Sequence, residues 1–129
     1  MDADCFCDYE PAVFYSKRQI KAQIIHRCHE CGKAILPGEN YEYVAAKWFD
    51  FGMDTFKTCS RCHYLRQWVM NNIPCFCWAH GNMLDDAKEA VDDAWCRAPD
   101  ETVGLRFGFL RRLHRVQDTS RAWPPNNIR

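Results

Sequence analysis

Eight of the nine cysteines in this 129-residue chain fall in close pairs: Cys5 and Cys7, Cys28 and Cys31, Cys59 and Cys62, Cys75 and Cys77, with Cys96 alone. Thiols paired in this way form disulfides or hold a metal. The N-terminus, MDADCFCDYE, is acidic and lacks a basic start followed by an apolar run, so the sequence reads as an unexported chain in a reducing compartment. There the pairs point to metal. Cys28-x2-Cys31 and Cys59-x2-Cys62 form C-x2-C-x27-C-x2-C, each pair offering two thiolates to one side of a tetrahedral Zn(II) at about 2.3 Å. Gly32, directly after Cys31, lets the backbone turn so that both sulfurs converge. Metal-free buried cysteines have no reason to recur as two C-x2-C pairs. A thioredoxin-type redox centre needs one such pair in a βαβ setting.

Cys5-Phe6-Cys7 and Cys75-Phe76-Cys77 are both C-x-C, and together they offer four more sulfurs, with His80 as a spare ligand. If residues 1–10 fold back beside the first helix, these pairs close a second site. Two alternatives stand beside it: free thiols at a frayed N-terminus, or a site made of Cys75, Cys77, His80 and one further ligand. The cofactor expected is Zn(II), one or two per chain; an iron site of the rubredoxin type uses the same four cysteine ligands. His29 and His63 are expected to point away from the metal, His26 and His114 to lie at the surface or its boundary, and Cys96 to be a small buried packing residue.

The elements that must position these groups follow from periodicity. Residues 12–27 lean to strand, with Ile20, Ala22 and Ile24 alternating against polar neighbours. A knuckle at 28–31 is closed by the turn Pro37-Gly38-Glu39. Residues 41–49 and 54–58 read as two strands of a hairpin. Ser60 is a candidate N-cap for a helix carrying Leu65, Trp68 and Val69, which Asn71, Asn72 and Pro74 end. The helix start favours thiolates at Cys59 and Cys62 through its free N–H groups and its dipole. Asn82 can cap a second helix with Leu84, Ala87, Val91 and Trp95 on one face. A third, about 101–117, should bury Leu105, Phe109, Leu110, Leu113 and Val116. The fold expected is α+β: a zinc-stabilised β-hairpin-plus-helix domain over 1–80, a helical hairpin over 81–118 packed on it, and a flexible tail over 119–129. Knuckle, hairpin, then a ligand pair on a first helical turn resembles a treble-clef zinc finger.

A site filled by four thiolates is closed, unlike a catalytic zinc, which keeps a position for water. The deaminase pattern of His-x-Glu with P-C-x-x-C is missing, as are a Gly-rich phosphate loop and a nucleophile elbow. No enzymatic activity is expected. No apolar run reaches the roughly 18 residues of a membrane span, and no membrane partner is expected.

Formal net charge is zero, which removes any global pull toward nucleic acid. The distribution is uneven: residues 84–101 hold seven acids against Lys88 and Arg97, and residues 104–129 hold six arginines against Asp118. A protein partner is expected first, with the aromatics of WFDFGMDTF (48–56) and with Trp78, Trp95 and Trp123 as anchors, unless these simply cover the metal sites. The alternative is a nucleic-acid-binding regulator using Arg111, Arg112 and Arg115 on one side of the last helix. Against that stands a charge pairing of this basic helix with the acidic one before it, within the chain or across a homodimer formed by the C-terminal helices.

CDYEP (7–11), CHECGKAILPGENYEYV (28–44), WFDFGMDTFKTCSRC (48–62) and PCFCWAHGN (74–82) look similar to small Cys-rich proteins of tailed phages and prophages. The likeness covers roughly residues 5–95. It implies a zinc-dependent protein in the cytoplasm of a bacterial host, of a kind that often binds and blocks host or defence proteins.

Overall fold

A computed structural model describes residues 12, 14–48, 52–117 and 122–123 of the chain. Five strands precede three helices: β1 Phe14–Lys21, β2 His26–Arg27, β3 Ala34–Ile35, β4 Asn40–Trp48, β5 Gly52–Cys59, α1 Ser60–Asn72, α2 Met83–Arg97 and α3 Val103–Val116. The fold is α+β. β1, β4 and β5 form an antiparallel sheet in that order, with Phe14 opposite Lys47 and Tyr41 opposite Cys59. β2 and β3 make a separate two-stranded ladder, His26 opposite Ile35.

β1 is exposed along nearly its whole length and carries Lys17, Arg18 and Lys21, charges that discourage further strands from adding to this edge. β4 is the central strand; it buries Glu42, Val44 and Ala46 on one face and Tyr41 on the other. Ile20 is half-buried and Ala22 buried, as expected from alternation, but Ile24 is exposed because the chain leaves the sheet after Lys21.

One contiguous core runs from Cys28, Ile35 and Tyr41 through Leu65 and Val69 to Met83, Val91, Phe109 and Val116. α1 therefore packs against both the sheet and the other two helices. Its approach to α3 is very close at Gly108, where an added Cβ would lie 2.6 Å from Trp68 Cζ2. This contact rolls α3 so that Gly108, Phe109 and Val116 face inward, with Leu105, Arg112 and Leu113 half-buried. Leu110, expected inside, is turned out to solvent.

Three other expectations are corrected. Cys96 is exposed, lying on the outer face of α2. The cap of α1 is Cys59 rather than Ser60, since the Cys59 sulfur accepts from the Cys62 N–H. Finally, among the described residues no ion pair joins an acid of α2 to an arginine of α3; the ion pair involving α2 is Asp93 with Arg97, within that helix. The two helices meet through apolar side chains and through Arg106 stacked 4.5 Å over Trp95. Asn82 is the N-cap residue of α2, as expected, with its side-chain amide donating to Asp86 Oδ1 rather than making a cap hydrogen bond. Of the expected tail, residues 122 and 123 are described. Among the described residues no helix is long and apolar enough to cross a membrane.

Candidate metal centre

Two sulfurs from the knuckle between β2 and β3 meet two from the junction of β5 and α1. Cys28, Cys31, Cys59 and Cys62 place every Sγ within 4.8 Å of the others, and Cys28–Cys62 and Cys31–Cys59 are each separated by 3.8 Å. Four sulfurs held about 2.3 Å from one ion at tetrahedral angles lie about 3.8 Å apart. The cluster is already the right size for zinc. Cys28, Cys59 and Cys62 are buried and Cys31 is half-buried.

Local backbone produces this geometry. Gly32 takes φ of 73°, its N–H donates to Cys28 O, and the Cys28 N–H donates to Lys33 O, closing the knuckle. Four backbone N–H groups then aim at sulfur: Glu30 and Cys59 at Cys28 (both 3.3 Å), Lys33 at Cys31 and Cys62 at Cys59 (both 3.4 Å). Such donors stabilise thiolate over thiol. Hydrogen bonding from Cys31, then from Cys59 and Cys62, holds the Cys28 thiol below the usual range, whereas hydrogen bonding to Cys28 pushes Cys62 up. Four thiolates packed this tightly repel one another unless a cation sits among them.

The remaining residues of the knuckle fasten it to its surroundings. His29 N–H donates to Lys57 O, and Lys57 N–H donates to His29 Nδ1, both at 2.8 Å, locking the knuckle to β5. Glu30 accepts from the N–H groups of Gly81 (2.8 Å) and Met83 (3.0 Å), so a residue between two ligands caps the start of α2 from afar. His63 lies 3.7 Å from Glu42. His80 Nε2 is 3.0 Å from Tyr15 Oη, and its ring stacks on Phe56. Neither histidine joins the sulfur cluster. Burial, with the Arg66 charge next, lowers the His80 pKa to about 4.

Cys75 and Cys77 have sulfurs 3.9 Å apart, also the spacing of two ligands on one ion. They line a cavity of about 350 Å³ with Asp86, Glu89 and Asp93. Cys5 and Cys7, the other half of the expected second site, lie outside the described residues.

One feature of this region gave little sign in the sequence. Arg66 and Glu42 are 2 % and 1 % exposed and joined at 2.6 Å, pinning α1 to β4, with the guanidinium 4.5 Å over Trp78. Burial pushes the Glu42 carboxyl up, but the hydrogen bond and charge of Arg66 outweigh it and hold the pKa below the usual range. The clue lay in the helical register: Cys62, Leu65, Arg66 and Val69 share one face of α1.

The expected arginine trio is split. Arg112 and Arg115 line a cavity with residues of α1, and Arg111 does not. Comparison with known proteins found no matching family model, no similar curated protein and no similar solved structure.

Proposed function

We propose that this chain is a non-enzymatic binding module, built around zinc in a treble-clef-type arrangement, that docks a protein partner on the outer face of α3. The closed set of four sulfurs supports a structural ion, because it leaves no coordination position for water or substrate. The observation that carries the docking reading is a second apolar stripe on α3. Val103, Phe107 and Leu110, spaced i, i+4 and i+7, are 49 %, 63 % and 48 % exposed. They lie away from the seam that packs on α1, and the helix also carries Arg106 and Arg111 to either side of the stripe. A partner helix with an apolar face edged by carboxylates complements this surface. A second copy of α3 in a two-fold pair would instead set arginines against arginines. On the motif resemblance alone, the partner would be a host or defence protein in the bacterial cytoplasm.

The test is capture by the zinc-loaded protein, with Phe107→Glu alongside, followed by calorimetry on the partner's isolated segment. The expected segment is acidic and amphipathic, and Phe107→Glu weakens it at least about 30-fold, the effect of removing an interface hot spot. Sedimentation showing a dimer that Phe107→Glu dissolves would instead assign the stripe to self-association. Native mass spectrometry of the same material counts metal: one zinc leaves Cys75 and Cys77 outside the metal-binding set, and two zincs support the second four-cysteine site.

A further inference from the structure

Between the first turn of α1 and the last turns of α3 lies a cavity of about 310 Å³ lined by Ser60, Arg61, Tyr64, Arg112 and Arg115. Three of these five residues are arginines and none is an acid. Among the described residues no ion pair involves any of the three. Arg61 Nε and Nη2 and Arg112 Nε are shielded from solvent and meet no acceptor. Arg112 is held in place independently of any ligand: Nη1 donates to Gly108 O at 3.0 Å, and the guanidinium lies 4.5 Å over Trp68 and 5.6 Å over Tyr64. A guanidinium fixed by stacking loses little freedom when it binds.

The cavity thus presents three guanidiniums and no carboxylate, from two helices that converge on one space. A carboxylate is satisfied in one plane by one or two arginines, whereas a tetrahedral phosphate accepts from several directions. Tyr64 lines the same space and is 51 % exposed, leaving ring surface for a base to stack. Arg111, exposed next to Arg112, adds a cation outside the cavity for a neighbouring phosphate. A phosphorylated peptide would use the arginines but has no need of the ring.

From this we propose that the α1–α3 cavity binds a backbone phosphate of a nucleic-acid strand, with Arg61, Arg112 and Arg115 as its donors and Tyr64 as a stacking platform. The site is separate from the apolar stripe of α3 and does not depend on the protein-docking reading.

The experiment is fluorescence polarisation of a labelled single-stranded oligonucleotide against the zinc-loaded protein, at low and moderate salt. Arg61→Gln, Arg115→Gln and the control Arg97→Gln on α2 are compared, with melting temperatures measured alongside. Each cavity variant is expected to weaken binding about tenfold, the loss of one charge-assisted contact, and to reduce the salt slope by about one. Arg97→Gln stays within about twofold of wild type. No binding by the wild type at low salt overturns the proposal, as does an equal loss with Arg97→Gln, which would mean bulk charge alone. A phosphoserine peptide that binds the wild type more tightly than the oligonucleotide also overturns it.

Discussion

Helix α1 supports a cationic side chain against each of two flanks, and both rest on tryptophan. Toward the sheet, the Arg66 guanidinium lies 4.5 Å over Trp78; toward α3, that of Arg112 lies 4.5 Å over Trp68. Arg66 meets Glu42 at 2.6 Å, while Arg112 meets no carboxylate among the described residues. An aromatic face gives a guanidinium about 0.5–2 kcal/mol, too little to offset the loss of water around a deeply buried charge. The deeply buried arginine has its counter-charge in the chain. The shallower one leaves its donors open to an external anion. A stacked arginine is thus structural or ligand-facing according to what stands opposite it.

The largest test removes the footing that both flanks share. Cys59 and Cys62 start α1, so Cys31→Ser or a strong chelator should unfold the chain, since structural zinc supplies about 10–16 kcal/mol in zinc-finger peptides. Circular dichroism and native mass are the readouts. A soluble Cys31→Ser protein melting like wild type would show that neither flank relies on metal.

Next in size is the counter-charge itself. Glu42→Ala strands Arg66 in the interior and should cost about 3–5 kcal/mol in urea unfolding. Replacing Glu42 and Arg66 together by Leu and Met should recover most of that. The native pair is not saturated, because Glu42 Oε1 and Arg66 Nε and Nη1 have no bonds of their own. If Glu42→Ala costs no more than the double variant, the contrast between the flanks fails.

A smaller effect depends on pH. The folded His80 pKa of about 4 lies below its ordinary value, so between about pH 6.5 and 4 the unfolded chain binds the proton first and stability falls as the solution is acidified. His80→Phe should flatten that slope; an unchanged slope assigns the acid sensitivity to the thiolates instead. Smallest is Gly108→Ala. In a free helix the change would stabilise by about 1 kcal/mol, but the clash with Trp68 costs about 1–3 kcal/mol. The expected net result is a slightly lower melting temperature. A raised one would mean that Trp68 yields, and that the Arg112 stack is softer than its partner across α1.

The cysteine spacing made the four-sulfur cluster legible, because two chelating pairs have few other uses. Hairpin and helix positions followed from period and breakers within a few residues. Tertiary facts were harder to read. Helical period shows that α3 has apolar faces but not how far the helix is rolled, and it is the missing side chain at Gly108 that turns Leu110 outward. Opposite charges on consecutive helices suggested a pairing that the packing of Arg106 on Trp95 replaces. The cap at Cys59 was hidden because a sulfur of the four-cysteine cluster also serves as the helix acceptor.

Glu30 carries a further consequence. Standing between two of the clustered cysteines, it accepts from the N–H groups of Gly81 and Met83 at the start of α2, while the Cys59 sulfur accepts from the Cys62 N–H at the start of α1. With zinc in the four-sulfur cluster, as proposed, its scarcity would release both helices at once and hand the whole chain to cellular proteases. Its abundance should then follow the metal supply of the cell, seen as a half-life that shortens when growth medium is depleted of zinc; an unchanged half-life would argue that the ion, once captured, is never given back.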